Sequence, residues 1–433
     1  MDGVNETLES TPTPATLNTA TLNTGVRLAG YPGRAVINLA AIRHNVATMT
    51  TRVHEHSPHT AVMAVVKGGA YGHGLLESAR ASVQGGATWL GTAQACEAIE
   101  LREAGFTERI LTWLHAPGAN YHALIERDID VSVAHPGAVA EVARAAREAG
   151  KPARVHLKVD TGLGRNGYTL AHIDEVIEPL IAAQNAGDVE FVGIWSHFAF
   201  ADEPDHPTVL AQADVFDQAI ARAERAGAHL EVRHIANSAA TLTNPRMYYD
   251  LVRPGLAIYG LDPAPGLGSL EEFGLVPAMR LEAHIATVKQ LPAGHGVSYG
   301  HHYTTTSGQE MQSSATPEAQ SQETTVAIVP LGYADGIPRH ASGHSASGGL
   351  GASVAVGGRI VRIAGRVCMD QFVVDLGPEA DVQAGDVAVL FGDARRGEPT
   401  AEDWAVAAET ISYEIITRIG ERVPRHYIDE PVS

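Results

Sequence analysis

Two cysteines in 433 residues, Cys96 and Cys368, are too few and too far apart for a disulfide framework or a cysteine-based zinc module. Basic residues are also scarce: 31 Lys and Arg against 50 acidic residues leave a formal charge of −19. A protein that coats nucleic acid needs the opposite surplus, so that class is excluded, although a local phosphate site is not. Long apolar runs are missing too, and without about 18 consecutive apolar residues a membrane span is not expected. No basic residue precedes Arg27, so the charged start of a secretory signal is absent. These absences point to a cytoplasmic protein. At 45% hydrophobic content, the chain can bury a large core in two or three domains without cross-links.

Residues 1–33 are rich in Thr, Pro and Asn, with a local repeat TLNTATLNT at 16–24, and read as a disordered tail. After an opening strand at 37–40, eight β-rich apolar runs follow, at 62–67, 88–93, 109–115, 130–134, 154–160, 191–198, 231–238 and 251–260. The stretches between them, such as VAEVARAAREAG, read as amphipathic helices ending at Gly. Eight such repeats over 34–276 predict an α/β fold, a (β/α)8 TIM-like barrel, with a doubly wound open sheet as the competing architecture. From 277 to 433 helices nearly vanish and alternating apolar and polar runs around Gly-rich turns predict a mainly β C-terminal domain. The polar stretch at 303–325 and the Gly/Ser-rich one at 340–351 read as loops.

Barrels place their chemistry at the C-terminal ends of strands, and the loops after strands seven and eight usually hold phosphate. That rule selects Lys67, Arg165, His197, Asn237, Ser238, Arg253 and Gly255. Lys67 follows the apolar run VMAVV and precedes GGAYGHG. Desolvation there would lower its pKa and make it a nucleophile, whereas an ordinary strand-end lysine would snorkel to water. GLGRNG at 162–167 fits a dinucleotide fingerprint but falls mid-repeat, two residues past its strand. His54, His56 and His59 suggest a metal cluster, yet no carboxylate-bearing helix accompanies them, and a solvated segment is the simpler reading. His73 and His197 read as hydrogen-bonding residues.

The ordered set AVVKGGAYGHG, VHLKVDTGLGRNGY, WSHFAFAD, HIANSAA, VRPGLAIYG, GVSYG, GYADGIPR, GRVCMDQF and SYEIITRIGERVPRHY resembles the alanine racemases from about residue 33 to 428. The resemblance implies a barrel that binds pyridoxal 5'-phosphate (PLP), followed by a β domain. It implies that Lys67 binds PLP covalently and acts as one base, with Tyr299 of GVSYG as the other. Racemisation needs a base on each face of a planar carbanion, while PLP supplies the electron sink. The phosphate would be held by Tyr71, Ser238, Tyr413 and the backbone of Gly255 and Leu256, with His197 and Asn237 also on the cofactor. Arg253 resembles the arginine that meets the pyridine nitrogen, and His234 joins it in a hydrogen-bond chain behind Tyr299. Arg165 and the Met369 N–H would bind the substrate carboxylate, with Cys368 beside the latter and Tyr333 gating the entrance. Lys158 matches a lysine carbamylated in many members, against the plainer reading of a contact with Asp160.

The implied protein is a homodimer with shared active sites, since Tyr299, Met369 and Tyr333 would come from the partner subunit. Its substrate would be alanine and its product D-alanine for cell-wall peptidoglycan; neither nucleic acid nor membrane is an expected partner. One departure stands out: the family usually has Ala-Asp or Ala-Asn after the lysine, and this chain has Gly68-Gly69. That change keeps two alternatives in view, a broad-specificity PLP racemase and an inactive PLP-binding homologue.

Overall fold

The computed structural model describes residues 31–135, 137–305, 323–344 and 350–432. The Thr-rich tail through residue 30 and most of the 303–325 and 340–351 stretches lie outside the described residues. Among the described residues no helix is long and apolar enough to cross a membrane.

The strands in chain order are β1 (Gly33–Asn38), β2 (Ala61–Val65), β3 (Trp89–Thr92), β4 (Arg109–Thr112), β5 (Asp130–Val133), β6 (Ala153–Asp160), β7 (Tyr168–Thr169), β8 (Val189–Trp195), β9 (Val232–His234) and β10 (Leu251–Val252). Eight of them form a parallel sheet in the order β10-β2-β3-β4-β5-β6-β8-β9, and each coincides with one of the eight apolar runs read from the sequence. Strands such as β3 and β5 are buried at every position, as a sheet covered on both faces requires. The ring is nearly closed. Between β9 and β10 the ladder is reduced to single bonds, Asp250 N–H to Arg233 O at 3.1 Å and Arg253 N–H to Ala236 O at 2.9 Å.

The intervening helices bury one apolar stripe each. Helix Ala138–Ala149 buries Val139, Val142 and Ala146 and stops at Gly150, whose φ of 69° is left-handed. Helix Pro207–Arg225 starts with Pro at its first position, where the missing N–H is not needed.

The remaining strands are β11 (Met279–His284), β12 (Thr287–Leu291), β13 (Gly296–Val297), β14 (Tyr303–Thr304), β15 (Thr324–Val329), β16 (Ser353–Val356), β17 (Arg359–Arg362), β18 (Phe372–Gly377), β19 (Val387–Phe391) and β20 (Arg425–Ile428). They build a six-stranded sheet in the order β17-β16-β19-β11-β1-β20 and two smaller sheets. The opening strand β1 falls within the segment assigned to the barrel from sequence, but the structure puts it in this second sheet. It pairs antiparallel with β11 (Gly33 opposite Ala283) and parallel with β20 (Ala35 opposite Arg425). Its buried/half-buried alternation gives it one core face, whereas barrel strands are buried on both.

One buried amide ties the first barrel helix, Leu39–His56, to the segment that leaves the barrel. Asn45 Nδ2 donates to Ile258 O (3.2 Å) and Val276 O (2.8 Å), and its Oδ1 accepts the Val276 N–H (2.8 Å). Asn45→Leu would strand three buried backbone groups, each worth roughly 1–3 kcal/mol. We expect Asn45→Leu to lose about 3 kcal/mol or more, measured as a lower denaturation midpoint; an unmoved midpoint would show that the backbone finds other partners.

Candidate active site

Lys67 sits immediately after β2, and the chain then makes a left-handed turn. Gly68, Gly69, Ala70 and Tyr71 have φ of 65°, 60°, 57° and 53° in succession. Left-handed helical backbone costs an L-residue roughly 1–2 kcal/mol per position, and Gly escapes that cost. The turn is held from inside by Ala70 N–H to Val66 O (2.7 Å) and Gly74 N–H to Gly69 O (2.8 Å). From outside, Glu97 accepts the Gly69 N–H (3.1 Å) and Arg425 Nε donates to Gly72 O (2.9 Å). The Lys67 side chain is open to solvent at the C-terminal end of β2. Its pKa lies below the ordinary lysine value, first because the surrounding protein displaces water and then because Arg165 and Arg253 repel its charge.

Hydroxyls gather on one side of this lysine. The Tyr71 ring lies 5.0 Å from that of Tyr259 and 6.2 Å from that of Tyr413, which the helix Ser412–Thr417 delivers from near the other end of the chain. Burial pushes Tyr71 well above the usual tyrosine range and Tyr413 up to about 12, so both stay protonated donors. Ser238 Oγ accepts the N–H groups of Gly255 (2.8 Å) and Ala257 (3.3 Å), which fixes the Gly255–Leu256 backbone. Asn237 caps the helix Ser238–Thr243 by accepting the Ala240 N–H at 3.1 Å. A Cβ on Gly255 would collide with the Tyr71 hydroxyl, so only glycine permits this approach. Neutral hydroxyls and amides converging at one spot suit a phosphate.

On the other side, Arg253 is buried. Its Nη2 donates to Ser196 O (2.7 Å) and Ile235 O (3.2 Å) and meets His197 Nδ1 (3.3 Å), while Nη1 meets His234 Nδ1 (3.2 Å). Its Nε–H has no hydrogen-bond partner among the described residues and is available to an acceptor such as a pyridine nitrogen. Burial lowers the Arg253 pKa, and the guanidinium remains charged at neutral pH. His197 is kept neutral, first by burial and then by Arg253. His234 lies fully buried behind Arg253, stacked on Trp195 with centroids 5.7 Å apart, and continues to His156 Nδ1 at 3.0 Å and from there to Asp130 at 3.2 Å.

The GLGRNG segment is not a phosphate loop. Asp160 Oδ1 accepts the N–H groups of Gly162 (3.0 Å) and Gly164 (3.1 Å), so a carboxylate of the chain already occupies the amides an anion would need. The loop instead carries Arg165, which is exposed and close enough to Lys67 and Lys158 to repel their charges. Lys158 makes no ion pair with Asp160. It is buried, its Nζ lies 3.8 Å from the Trp195 ring centre, and its pKa is held well below the lysine value, first by burial and then by Arg253 and Arg165.

Tyr299, Tyr333, Met369 and Cys368 form a second cluster, on the C-terminal part of the chain. Tyr299 occupies a strained turn with Ser298 at φ 62° and Gly300 at 73°. Ser298 Oγ donates to Arg366 O (2.7 Å) and lies 3.5 Å from Cys368 Sγ. Tyr333 N–H donates to Cys368 O (3.0 Å) and Ala334 N–H to Met369 O (2.9 Å). Tyr299 (70%), Met369 (53%) and Tyr333 (42%) are exposed together, an unusual concentration of large side chains on a surface. No group of three or more side chains that could hold a metal ion occurs among the described residues; His54 instead bonds Thr60 O at 3.2 Å. Glu97, Arg425, His156 and Asp130 were not singled out from sequence. Each sits in an ordinary helix or strand pattern, and only the fold brings it to the site.

Model comparisons assign residues 37–263 to "Alanine racemase, N-terminal domain" and 278–427 to "Alanine racemase, C-terminal domain". An alanine racemase of Beutenbergia cavernae is 55% identical over 398 residues, 92% of this chain and 98% of that protein. One of Frankia casuarinae is 52% identical over 394 residues, 91% and 96% of the two chains. The crystal structure of alanine racemase from D-cycloserine-producing Streptomyces lavendulae matches with a TM-score of 0.84 at 53% identity, covering 92% of this chain and 98% of the other.

Two outcomes follow from the turn around Lys67. A Cβ at Gly68 or Gly69 would meet nothing within 4 Å, so substitution there costs conformation alone. Gly69→Ala should lose about 1–2 kcal/mol in thermal stability and Gly69→Asn less, because Asn tolerates the left-handed region; equal losses would contradict this. His73, buried against Tyr259, has its pKa lowered from 6.5 to about 4, mainly by burial. With the folded pKa depressed, its contribution is complete above about pH 6.5 and is lost as pH falls towards 4, about 3 kcal/mol in all. His73→Phe should flatten the fall in unfolding midpoint over that window, and an unchanged slope would assign it to other groups.

Proposed function

Because the chain belongs to the alanine racemase family, it interconverts L-alanine and D-alanine, and we propose that the residues around Lys67 and Tyr299 carry that reaction. The D-alanine serves peptidoglycan synthesis, and a cytoplasmic location is part of the same reading. PLP, the cofactor of the family, supplies the electron sink that accepts the pair left behind when the Cα proton departs.

The observation that carries the proposal is the mouth around Lys67, with phosphate-suited donors on one side and the spare Nε–H of Arg253 on the other. Tyr71, Ser238, Tyr413 and the Gly255–Leu256 backbone would hold the phosphate, with Asn237 fixing the helix that carries Ser238. Arg253, flanked by His197, would meet the pyridine nitrogen. A donor that keeps its proton leaves that nitrogen unprotonated. Lys67, with its charge weakened, spends more time as a free amine and is suited both to bind the cofactor aldehyde and to move the Cα proton on its face.

Arg165 would bind the substrate carboxylate with the Met369 N–H, and Tyr333 would border the entrance. Lys158, buried beside two arginines, is shifted towards the neutral amine that reacts with carbon dioxide, and a carbamate there would hold Arg165. Tyr299 would serve as the base on the opposite face. Its exposure with Tyr333 and Met369 supports a homodimer in which this cluster completes the mouth of the partner subunit.

Mixing tests both the bases and the sharing. Lys67→Ala and Tyr299→Phe should each lower L-alanine to D-alanine turnover at least about 100-fold. Subunits of the two variants, dissociated and reassociated together, should recover about a quarter of wild-type activity. Half the dimers are then mixed, and each carries one site with both bases. No recovery on mixing would refute sharing, and full activity of either variant alone would refute its residue as a base.

A further inference from the structure

Arg253 can only donate hydrogen bonds, and Asp130, as a carboxylate, can only accept them. The two side chains are joined through His234 and His156, with Nη1 to Nδ1 of His234 at 3.2 Å, Nε2 of His234 to Nδ1 of His156 at 3.0 Å, and Nε2 of His156 to Oδ2 of Asp130 at 3.2 Å. His234, His156 and Asp130 are all fully buried. With both ends fixed, every proton between them has one available place. His234 Nδ1 accepts from Arg253, so its proton is on Nε2. His156 Nδ1 accepts that proton, so its own is on Nε2 and points at Asp130. Adding a second proton to either ring would set two donors against each other.

The row crosses the barrel interior lengthwise, because Asp130 opens β5 and Arg253 follows the end of β10. Aromatic rings wall it: Trp195 stacks on His234 and Trp89 meets His156 edge-on at 5.8 Å. The charged groups around it are Lys158 over Trp195, Arg109 over Trp89, and the two arginines that pair with Asp130, Arg109 (2.6 Å) and Arg154 (2.6 Å), with Glu231 on Arg109 (2.9 Å).

We propose that His156 and Asp130 are positioning residues that, through His234, lock the guanidinium of Arg253 so that its Nε–H faces the cofactor ring. The carboxylate polarises His156, His156 polarises His234, and His234 Nδ1 becomes a stronger acceptor for Arg253. Both terminal nitrogens of Arg253 are then held by interior acceptors, and the Nε–H is left for the mouth. The cofactor part of this proposal rests on the PLP racemase reading; the proton order does not.

The experiment has two arms. Nitrogen-15 NMR of the full chain with labelled histidine, without cofactor, should show His156 and His234 as Nε2–H tautomers that do not titrate between about pH 5 and 8. Either ring found as the Nδ1–H form, or titrating in that window, overturns the proposal. In the second arm, His156→Phe should weaken PLP binding about tenfold, and His156→Gln, which can accept from His234 and donate to Asp130, should restore most of it. Loss of thermal stability in His156→Phe with unchanged PLP affinity would mean a structural role only and would likewise overturn it. A wild type that shows the tautomers but binds no PLP overturns the cofactor reading instead, so the two failures are distinct.

Discussion

The site depends on a guanidinium buried inside a parallel barrel. A charge placed there must be matched by acceptors, and Arg253 finds them in two strand-end carbonyls and two imidazole nitrogens. Its field reaches the lysines and histidines nearest to it. Lys67, Lys158 and His197 all lose affinity for protons partly because of it. An overall charge of −19 therefore conceals a locally positive mouth, which suits a phosphorylated cofactor and a carboxylate substrate. Burial, and after it the same field, keeps the imidazoles of His197 and His234 neutral, so they act as acceptors rather than acids.

Much of this was legible in the sequence, because the barrel repeats its pattern. The alternation of short apolar runs with amphipathic stretches located all eight strands, and the strand-end rule drew attention to Lys67, Ser238 and Arg253. The opening strand escaped that logic. Its partners, β11 and β20, lie hundreds of residues away, and no local pattern encodes so distant a pairing. His156 and Asp130 escaped for a different reason. A histidine within VHLKVD and an aspartate at the start of DVSVA look like ordinary strand residues until the barrel closes and turns both inward.

Two local patterns were misleading in instructive ways. The glycines of GLGRNG match a phosphate loop, yet Asp160 fills the amide nest, so spacing alone does not reveal whether the chain supplies its own anion. Gly68-Gly69 departs from the family pattern and keeps an inactive homologue in view. In the fold these two residues lie in a left-handed turn that glycine adopts without strain, so the departure from the family pattern relaxes the backbone beside Lys67.

The turn that positions Lys67 is finished by residues from the far end of the chain. Tyr413 packs on Tyr71, Arg425 holds the Gly72 carbonyl, and β20 pairs with β1. On the ribosome, the barrel strands emerge long before these parts exist. At ordinary rates of synthesis, roughly 10 to 30 s separate β10 from β20. During that interval a nascent barrel has its lysine but not the brace that sets it. The conformation of the turn after Lys67 is thus completed only when the last strand of the chain has been made.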